Sequence, residues 1–333
     1  MEIGKVPNNI LNELLRTLEI CDSNLTTPPA IGEDTAILNF GNSMLLIGSD
    51  PITFSTPNPG SHSVIINAND IAASGGTPKW FCATVLMPPG TSEEEFSHVF
   101  LDIVGACKNI NVQLIGGHSE ITQTVNKITI AGTMIGVAEP SQIKPTANAQ
   151  FGDDIIITKT FPIEGTYIAL TTHSNYLNSL NIPIYLIKRL NKLINHSDIS
   201  VLTEANIAKK HSSVHCMHDP TEGGISTALY EIADCAKAGI HIDNLSVDRD
   251  IQEFYNNLGM DPLGTIASGS LIITVNPKST EALMSELSLS GIKSTRIGSV
   301  VARENGVTIS KPGDLSILPL KKFFQDEITN IPV

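Results

Sequence analysis

Five short stretches set acidic residues beside glycine: Gly32-Glu33-Asp34, Gly48-Ser49-Asp50-Pro51, Asn67-Ala68-Asn69-Asp70 ahead of Gly75-Gly76, Gly116-Gly117-His118-Ser119-Glu120, and His218-Asp219-Pro220-Thr221-Glu222-Gly223-Gly224. Carboxylates at such turns can hold Mg²⁺, a hard cation that takes oxygen ligands and keeps positions open for phosphate oxygens. Glycine lets backbone N–H groups approach a phosphate closely, and a helix N-terminus adds a favourable dipole. Gly223-Gly224, opening a helix, fits that chemistry. Asn67 and Asp70 stand three apart on one helix edge, which is either solvated or turned to a ligand. A single aspartate at a turn more often satisfies local backbone donors, so only the set together points to a site. No GxxxxGK[ST] occurs and no GxGxxG follows a strand. A bound nucleotide would therefore need carboxylate-held metal, not a P-loop lysine, to neutralise its phosphates.

Other chemistries fare worse. His211, His215, Cys216 and His218 resemble a transition-metal cluster, yet no cysteine pair partners the H-x₃-H spacing, so a histidine-rich approach to the Asp219 turn is the expectation. His62, His98, His173, His196 and His241 are isolated and read as surface or capping residues. The five cysteines (Cys21, Cys82, Cys107, Cys216 and Cys235) have no CxxC pair and read as reduced, buried thiols. There is no G-x-S-x-G elbow, which argues against serine hydrolysis.

The elements that must position these residues follow from periodicity. Asn8 is placed to cap a helix carrying Ile10, Leu11, Leu14, Leu15 and Leu18 on one face. Residues 35–40 and 44–48 read as strands joined by a hairpin at Gly41-Asn42. Ser61 opens a helix ending at Gly75-Gly76, and 80–87 reads as a strand. Thr91 with Glu94 forms a capping box for the next helix. Residues 112–115 form a strand running into a Gly116-Gly117 turn, and 127–137 a long strand. Pro, Ser, Gln, Asn and Gly interrupt the pattern over 139–152. Beyond that seam come a strand at 154–159, a helix from Glu164, two helical stretches between 182 and 210, and a helix over 224–238 with Gly239 at its C′ position. Strands at 270–275, 295–301 and 307–310 and a helix at 280–290 complete the reading. The fold class is α+β with α/β-type layers, divided into residues 1–145 and 146–333.

At 333 residues, the chain is comfortable as two domains. Lys and Arg number 21 against 34 Asp and Glu, a net charge of −13. The cations are scattered, so no nucleic-acid partner is expected. No apolar run is long enough to span a bilayer and the N-terminus lacks a signal-type stretch, so a cytoplasmic protein with no membrane partner is expected.

Read in order, the motifs resemble the aminoimidazole ribonucleotide (AIR) synthase-related superfamily, nearest to its HypE-like hydrogenase expression/formation branch. The segments are Gly4-Lys5-Val6-Pro7, GEDTAI from Gly32, SDPITF from Ser49 and NANDIAASGGTPKW from Asn67. GGHSE from Gly116, TKTFPIEGT from Thr158, HDPTEGG from His218 and DPLGTIASGSL from Asp261 follow, covering most of the chain. The resemblance implies two domains, the N-terminal one binding ATP and joining its mixed sheet to a partner's in a homodimeric barrel, with an α/β C-terminal domain. It implies ATP and Mg as cofactors and phosphorylation of an acceptor oxygen on a small-molecule or protein-borne substrate. It assigns Asp34, Asp50 and Asp70 to metal, Asn67 and Lys5 to the nucleotide, Gly116 and Gly117 to a phosphate-facing turn, and Asp219 to catalysis. His118 stands where many relatives carry an acidic residue. Either Glu120 takes over as metal ligand or one metal is lost, and His118 is a catalytic candidate. HypE carries a C-terminal cysteine that receives the carbamoyl group, whereas the last cysteine here is Cys235, so self-carried cyanide chemistry is not expected at the usual place. A maturation partner protein, a kinase activity like that of thiamine-monophosphate kinase, and a non-catalytic scaffold are the remaining implications.

Overall fold

The computed structural model describes residues 5–310 and 316–332. Two seven-stranded mixed sheets organise the chain. The first contains β1 (Leu25–Thr27), β2 (Ala36–Phe40), β3 (Ser43–Gly48), β4 (Pro51–Ile52), β5 (Thr77–Met87), β6 (Gln113–Ile121) and β7 (Thr129–Ala138) in the order β1-β2-β3-β7-β5-β6, with β4 also on β7. All its pairs are antiparallel except β5–β6, which a helical crossover, Glu93–Asn109, makes parallel. The second holds β8 (Asp154–Thr158), β9 (Val214–His218), β10 (Gly239–Ile242), β11 (Ile272–Val275), β12 (Ser294–Val301), β13 (Val307–Ser310) and β14 (Ile317–Pro319), ordered β14-β13-β10-β12-β8-β11-β9.

Alternation along the strands decides the layers. In β8, Ile155 and Ile157 pack with Ile225, Leu229 and Ile232 of the helix Gly224–Ala236. Ile156 between them faces the other way, into a core with Ala205, Leu283 and Leu287. The first sheet is covered on one face by the helices Pro59–Ala73 and Glu93–Asn109, through Val64, Ala68, Ile71, Val99 and Ile103. Its β6 edge is open, with Ile115 and Ile121 both 52% exposed.

The helix Pro59–Ala73 is buried nearly all round, because it is wedged between the two sheets. Ala72 and Ala73 sit in the second sheet's core, while Val64, Ala68 and Ile71 sit in the first. Its polar residues accordingly find partners across the junction: Asn69 donates to Ile199 O at 2.8 Å and accepts from Val201 N–H at 2.9 Å. Satisfying buried polar groups this way avoids a penalty of about 1–3 kcal/mol each, and it fixes how the two units face each other.

Several boundaries differ from those expected, each for a local reason. Asn8 is the first residue of its helix and Pro7 the cap, with no side-chain capping bond. The second helix starts at Pro59, whose ring suits the first helical turn, so Ser61 lies inside it. The capping box is Ser92 with Glu95, one residue beyond Thr91 and Glu94. The helix 224–236 ends with Lys237 in the left-handed region (φ 52°). Gly239 belongs to β10, where a Cβ would lie 2.3 Å from Ala302 O. Among the described residues, no helix is long and apolar enough to cross a membrane.

Candidate active site

Asp34 lies on the loop between β1 and β2, pressed against the helix Gly224–Ala236. A Cβ at Gly32 (φ +82°) would stand 2.9 Å from Cys235 Sγ and 3.0 Å from Glu231 Cβ, so the approach requires glycine. Glu33 holds the loop from the other side, accepting from Thr146 N–H at 3.1 Å and Ala147 N–H at 2.9 Å. Asp50 follows β3, and its main chain is clamped by the buried Asn67 amide. Asp50 N–H donates to Asn67 Oδ1 at 2.9 Å, while Asn67 Nδ2 donates to Asp50 O at 3.1 Å and Ser63 O at 2.9 Å. Asp70 lies a turn further along that helix, 5% exposed. A Cβ on Gly48 would stand 3.4 Å from both Asp34 O and Asp70 Oδ2, so the end of β3 brings these two together. Asp219, one residue past β9, is 2% exposed, and neither carboxylate oxygen has a hydrogen bond to another described residue.

Asp50, Asp70 and Asp219 are each raised, and Asp34 contributes to all three. Burial raises Asp70 well above the usual range, and Asp50, Asp219 and Asp34 raise it further. Burial and then Asp34 do the same to Asp219, against the pull of His218. Asp50 is raised by burial and, though Lys5 opposes it, by Asp34 and Glu164. Positive charge comes from two groups. His218 Nδ1 meets Asp34 Oδ1 at 3.0 Å and its Nε2 meets Glu231 Oε2 at 3.2 Å. Burial alone would lower His218, but these two carboxylates outweigh it and hold the imidazolium. Lys5 Nζ lies 3.7 Å from Glu231 Oε1 and donates to Thr221 Oγ1 at 3.3 Å. Its charge, opposed by burial, is favoured by Glu231, Glu222, Asp50 and Asp34.

The cluster is therefore short of positive charge, with buried oxygens left over. Among the described residues, no three His, Cys, Asp or Glu side chains stand close enough to hold a metal ion as they are. The donors are nevertheless all oxygen, and the unpartnered Asp219 oxygens and raised carboxyls suit a hard divalent cation better than a further side chain. On the side of Lys5 and Glu231 opens a cavity of about 400 Å³, bounded also by Glu222, Gly223, Thr227 and Lys322 and not lined by the four aspartates themselves.

Not every expected residue arrives. Gly116 and Gly117 form no turn; they lie inside β6, paired with Cys82 and Ala83 of β5. Asp50 O is bonded to Gly132 of β7, Gly132 pairs with Ala83, and Ala83 with Gly117. Three strand spacings, roughly 14 Å, thus separate Asp50 from Gly117. His118 and Glu120, with side chains 64% and 50% exposed on that edge, pair with each other at 3.1 Å and do not join the aspartates of their own chain. Asn67 acts through backbone, its amide bonded to Asp50 and Ser63 rather than open to a nucleotide. Lys5 does reach the site; Gly4 lies outside the described residues.

The histidine cluster dissolves on strand alternation: His211 pairs with Glu286, His215 with Asp153 and His218 with Asp34 and Glu231, so no zinc set forms among the described residues. His62 is no surface residue but 1% exposed, bonded to Glu164. The cysteines are free, as expected. Burial pushes Cys235 up to about 12 and Cys216 well above the ordinary thiol value. Cys21, however, is exposed. Glu231 and His62 carried no signal in the sequence, since their partners lie more than ten residues away on other elements, whereas Glu164 falls within the TKTFPIEGT segment.

Fold and site together define a two-domain α+β protein whose junction gathers buried aspartates from both units around a charge-deficient centre. The chain belongs to the AIR synthase-related family: residues 32–138 match the model of the AIR synthase related protein N-terminal domain and residues 151–311 that of its C-terminal domain. A protein of Methanocaldococcus jannaschii named for hydrogenase expression/formation is 25% identical over 287 residues, covering 84% of this chain and 82% of that protein. A carbamoyl dehydratase HypE of Rhizobium leguminosarum bv. viciae is 24% identical (77% and 71% covered), and a thiamine-monophosphate kinase of Pyrococcus horikoshii 25% (83% and 87%). Among solved structures, a HypE–HypF complex superposes with a TM-score of 0.77 at 20% identity, covering 94% of this chain and 99% of that one. HypE in complex with ATP gives 0.70 at 21%, with 96% of each covered.

Proposed function

We propose that this protein is an ATP- and Mg²⁺-dependent enzyme of the HypE-like branch that phosphorylates an oxygen of its acceptor. The observation that carries the reading is the convergence of Asp34, Asp50, Asp70 and Asp219, drawn from both domains, with burial and neighbouring carboxylates raising the pKa of Asp50, Asp70 and Asp219. Phosphoryl transfer asks little covalent chemistry of a protein; it asks for positioning and for neutralisation of phosphate charge. Asp34, Asp50 and Asp70 would hold Mg²⁺, which when bound offsets the triphosphate charge. Lys5 would meet a phosphate oxygen from the first segment, and Asn67 would keep the Asp50 turn in place. His218, bridging Asp34 and Glu231, fixes one side of the carboxylate ring. Asp219 would stand next to the transferred group.

A role in hydrogenase maturation with a partner protein is supported by the relatives' names and by the HypE–HypF likeness. The homodimer would use the open β6 edge, where Ile115 and Ile121 are exposed. A cytoplasmic location goes with this reading. The kinase relative of similar identity supports a second reading, transfer to a small-molecule acceptor as the final product. ADP release measured with ATP–Mg²⁺ and candidate acceptors, small molecules and carbamoylated peptides alike, tests both. Protein that neither releases ADP nor is stabilised by nucleotide contradicts the proposal. If Asp50→Asn and Asp70→Asn keep ADP release intact, the aspartates do not carry it.

A further inference from the structure

Where the chain leaves β8, residues 159–161 and 163 wall a cavity of about 520 Å³. Opposite them stand the start of β12, with Thr295 and Ile297, and the loop 246–248. None of Asp34, Asp50, Asp70 and Asp219 lines it. The strand order β12-β8-β11-β9 sets its β12 wall three strand spacings, roughly 14 Å, from β9, the strand that leads to Asp219. It is a second cavity, apart from the aspartates.

Its walls are cross-braced. Lys159 adopts a left-handed backbone (φ 56°), uncommon for a residue with a side chain. Its N–H donates to Lys293 O at 2.6 Å, and its Nζ donates to Asp198 O at 3.0 Å while pairing with Glu204 at 2.8 Å. Asp243 and Asn244 N–H both donate to Ile297 O, which hangs the following loop from β12. A cavity of this size, held open by the fold, falls in the range of small-molecule sites.

The lining divides by chemistry. Phe161, Ile163 and Ile297 are buried and apolar. The Thr160 and Thr295 hydroxyls and the Lys293 ammonium have no partner among the described residues. Asp198 Oδ2 accepts from Asn195 N–H at 2.8 Å and Asp248 Oδ1 from Asp250 N–H at 2.9 Å, which leaves each carboxylate one oxygen unbonded. In the neighbouring cavity of about 510 Å³, by contrast, Lys321 pairs with Asp261 and Gln252 with Asn256. There the polar groups are spent on one another; here they are not. Because Glu204 balances Lys159, the cavity is left with one free ammonium and two half-free carboxylates beside an apolar wall. A simple anion would meet both aspartates, and a simple cation would meet Lys293. A molecule with an amino group and an acid group on an apolar body answers every charge.

We infer that this cavity is a second ligand site, which takes a small zwitterion of the class of a hydrophobic amino acid or dipeptide. The acid group meets Lys293, the amino group meets the free oxygens of Asp198 and Asp248, and the apolar body rests on Phe161 and Ile297. The threonine hydroxyls serve either end, since each can donate or accept. The site shares no residue with the aspartate cluster, so it stands independently of the phosphoryl-transfer reading.

Ligand-observed NMR titration of the full chain tests it, with L-phenylalanine and L-leucyl-L-phenylalanine as probes beside their C-terminal amides and N-acetyl derivatives. At least one of the two zwitterions binds with a Kd of about 1 mM or tighter, and its amide and its N-acetyl derivative bind about tenfold more weakly or worse. Lys293→Ala and Asp248→Asn each weaken binding about tenfold, since each removes a charge-assisted contact. Lys293→Arg restores it, and asparagine at 248 still caps the helix Arg249–Leu258. The rise in Tm with ATP–Mg²⁺ is the same in these variants as in the wild type. No binding of either zwitterion up to about 10 mM, equal binding of an amide or N-acetyl derivative, or binding untouched by Lys293→Ala and Asp248→Asn overturns the inference and leaves the phosphoryl-transfer reading standing. Loss of the ATP–Mg²⁺ response in both variants overturns the assignment of a separate site.

Discussion

Replacing Asp70 with asparagine should move stability in opposite directions with and without ligand. Asp70 is 5% exposed, and burial together with Asp50, Asp219 and Asp34 raises its carboxyl well above the ordinary range. In metal-free buffer, Asp70→Asn removes an acid from a cluster where carboxylates outnumber Lys5 and His218, at nearly constant volume. Relief of a poorly compensated buried polar group is worth about 1–3 kcal/mol. At about 2–4 °C per kcal/mol for domains of this size, that is a rise of roughly 2–12 °C in Tm. With ATP–Mg²⁺ at about a hundredfold over Kd, the wild type gains about 2.7 kcal/mol by mass action, whereas the variant loses most of that gain. Differential scanning fluorimetry in EDTA and in ATP–Mg²⁺ reads both effects on the same samples. A variant less stable than wild type in EDTA, yet equally responsive to ATP–Mg²⁺, would refute the reasoning, since Asp70 would then be a structural partner rather than a destabilised ligand.

Three further outcomes follow from the same geometry. In EDTA, stability should fall as pH rises: Asp50, Asp70 and Asp219 bind protons more tightly folded than unfolded, so what they contribute is fullest below the usual Asp value near 4 and is lost through their raised values. Asp326, which burial pushes up to about 7, adds a loss between roughly pH 4 and 7, and His218, also raised, extends the loss above its unfolded value near 6.5. Urea unfolding near pH 5 and pH 8 checks this, and greater stability at the higher pH contradicts it. Asn67→Ala should cost about 2–4 kcal/mol in urea unfolding, because it strips three hydrogen bonds and orphans the Asp50 N–H; a loss below about 0.5 kcal/mol contradicts the clamp. Alkylation by iodoacetamide near pH 8, followed by mass spectrometry, should label exposed Cys21 and spare Cys107, Cys216 and Cys235, which burial holds protonated. Prompt labelling of Cys235 would show that a thiol beside the site is available after all.

What could be read before folding was whatever depends on short spans. Alternation in 44–48 and 80–87 and the Gly41-Asn42 turn yielded the first sheet's strands, and carboxylates beside glycine marked Asp34, Asp50, Asp70 and Asp219. Periodicity and the seam over 139–152 gave two α+β halves, and the resemblance to the AIR synthase-related superfamily supplied the metal and nucleotide roles and Lys5. Gly116-Gly117 misled because glycine pairs usually break strands, whereas here a parallel neighbour carries β6 through to Ile121. The His211–His218 run is, as expected, a histidine-rich approach to the Asp219 turn, with His211, His215 and His218 each paired to its own carboxylate. His62 and Glu231 were silent for a different reason. Their roles arise only when the buried helix Pro59–Ala73 and the helix Gly224–Ala236 are brought to the domain junction, contacts separated by 102 residues for His62 and Glu164.

The central claim is that the dispersed aspartates cage one metal–triphosphate. Anomalous diffraction at the manganese edge, from crystals grown with Mn²⁺ and a non-hydrolysable ATP analogue, addresses it directly. The account predicts manganese bound by oxygens of Asp34, Asp50 and Asp70, with the terminal phosphate between the metal and Asp219. Manganese and nucleotide bound elsewhere, with these carboxylates still unligated, would contradict it.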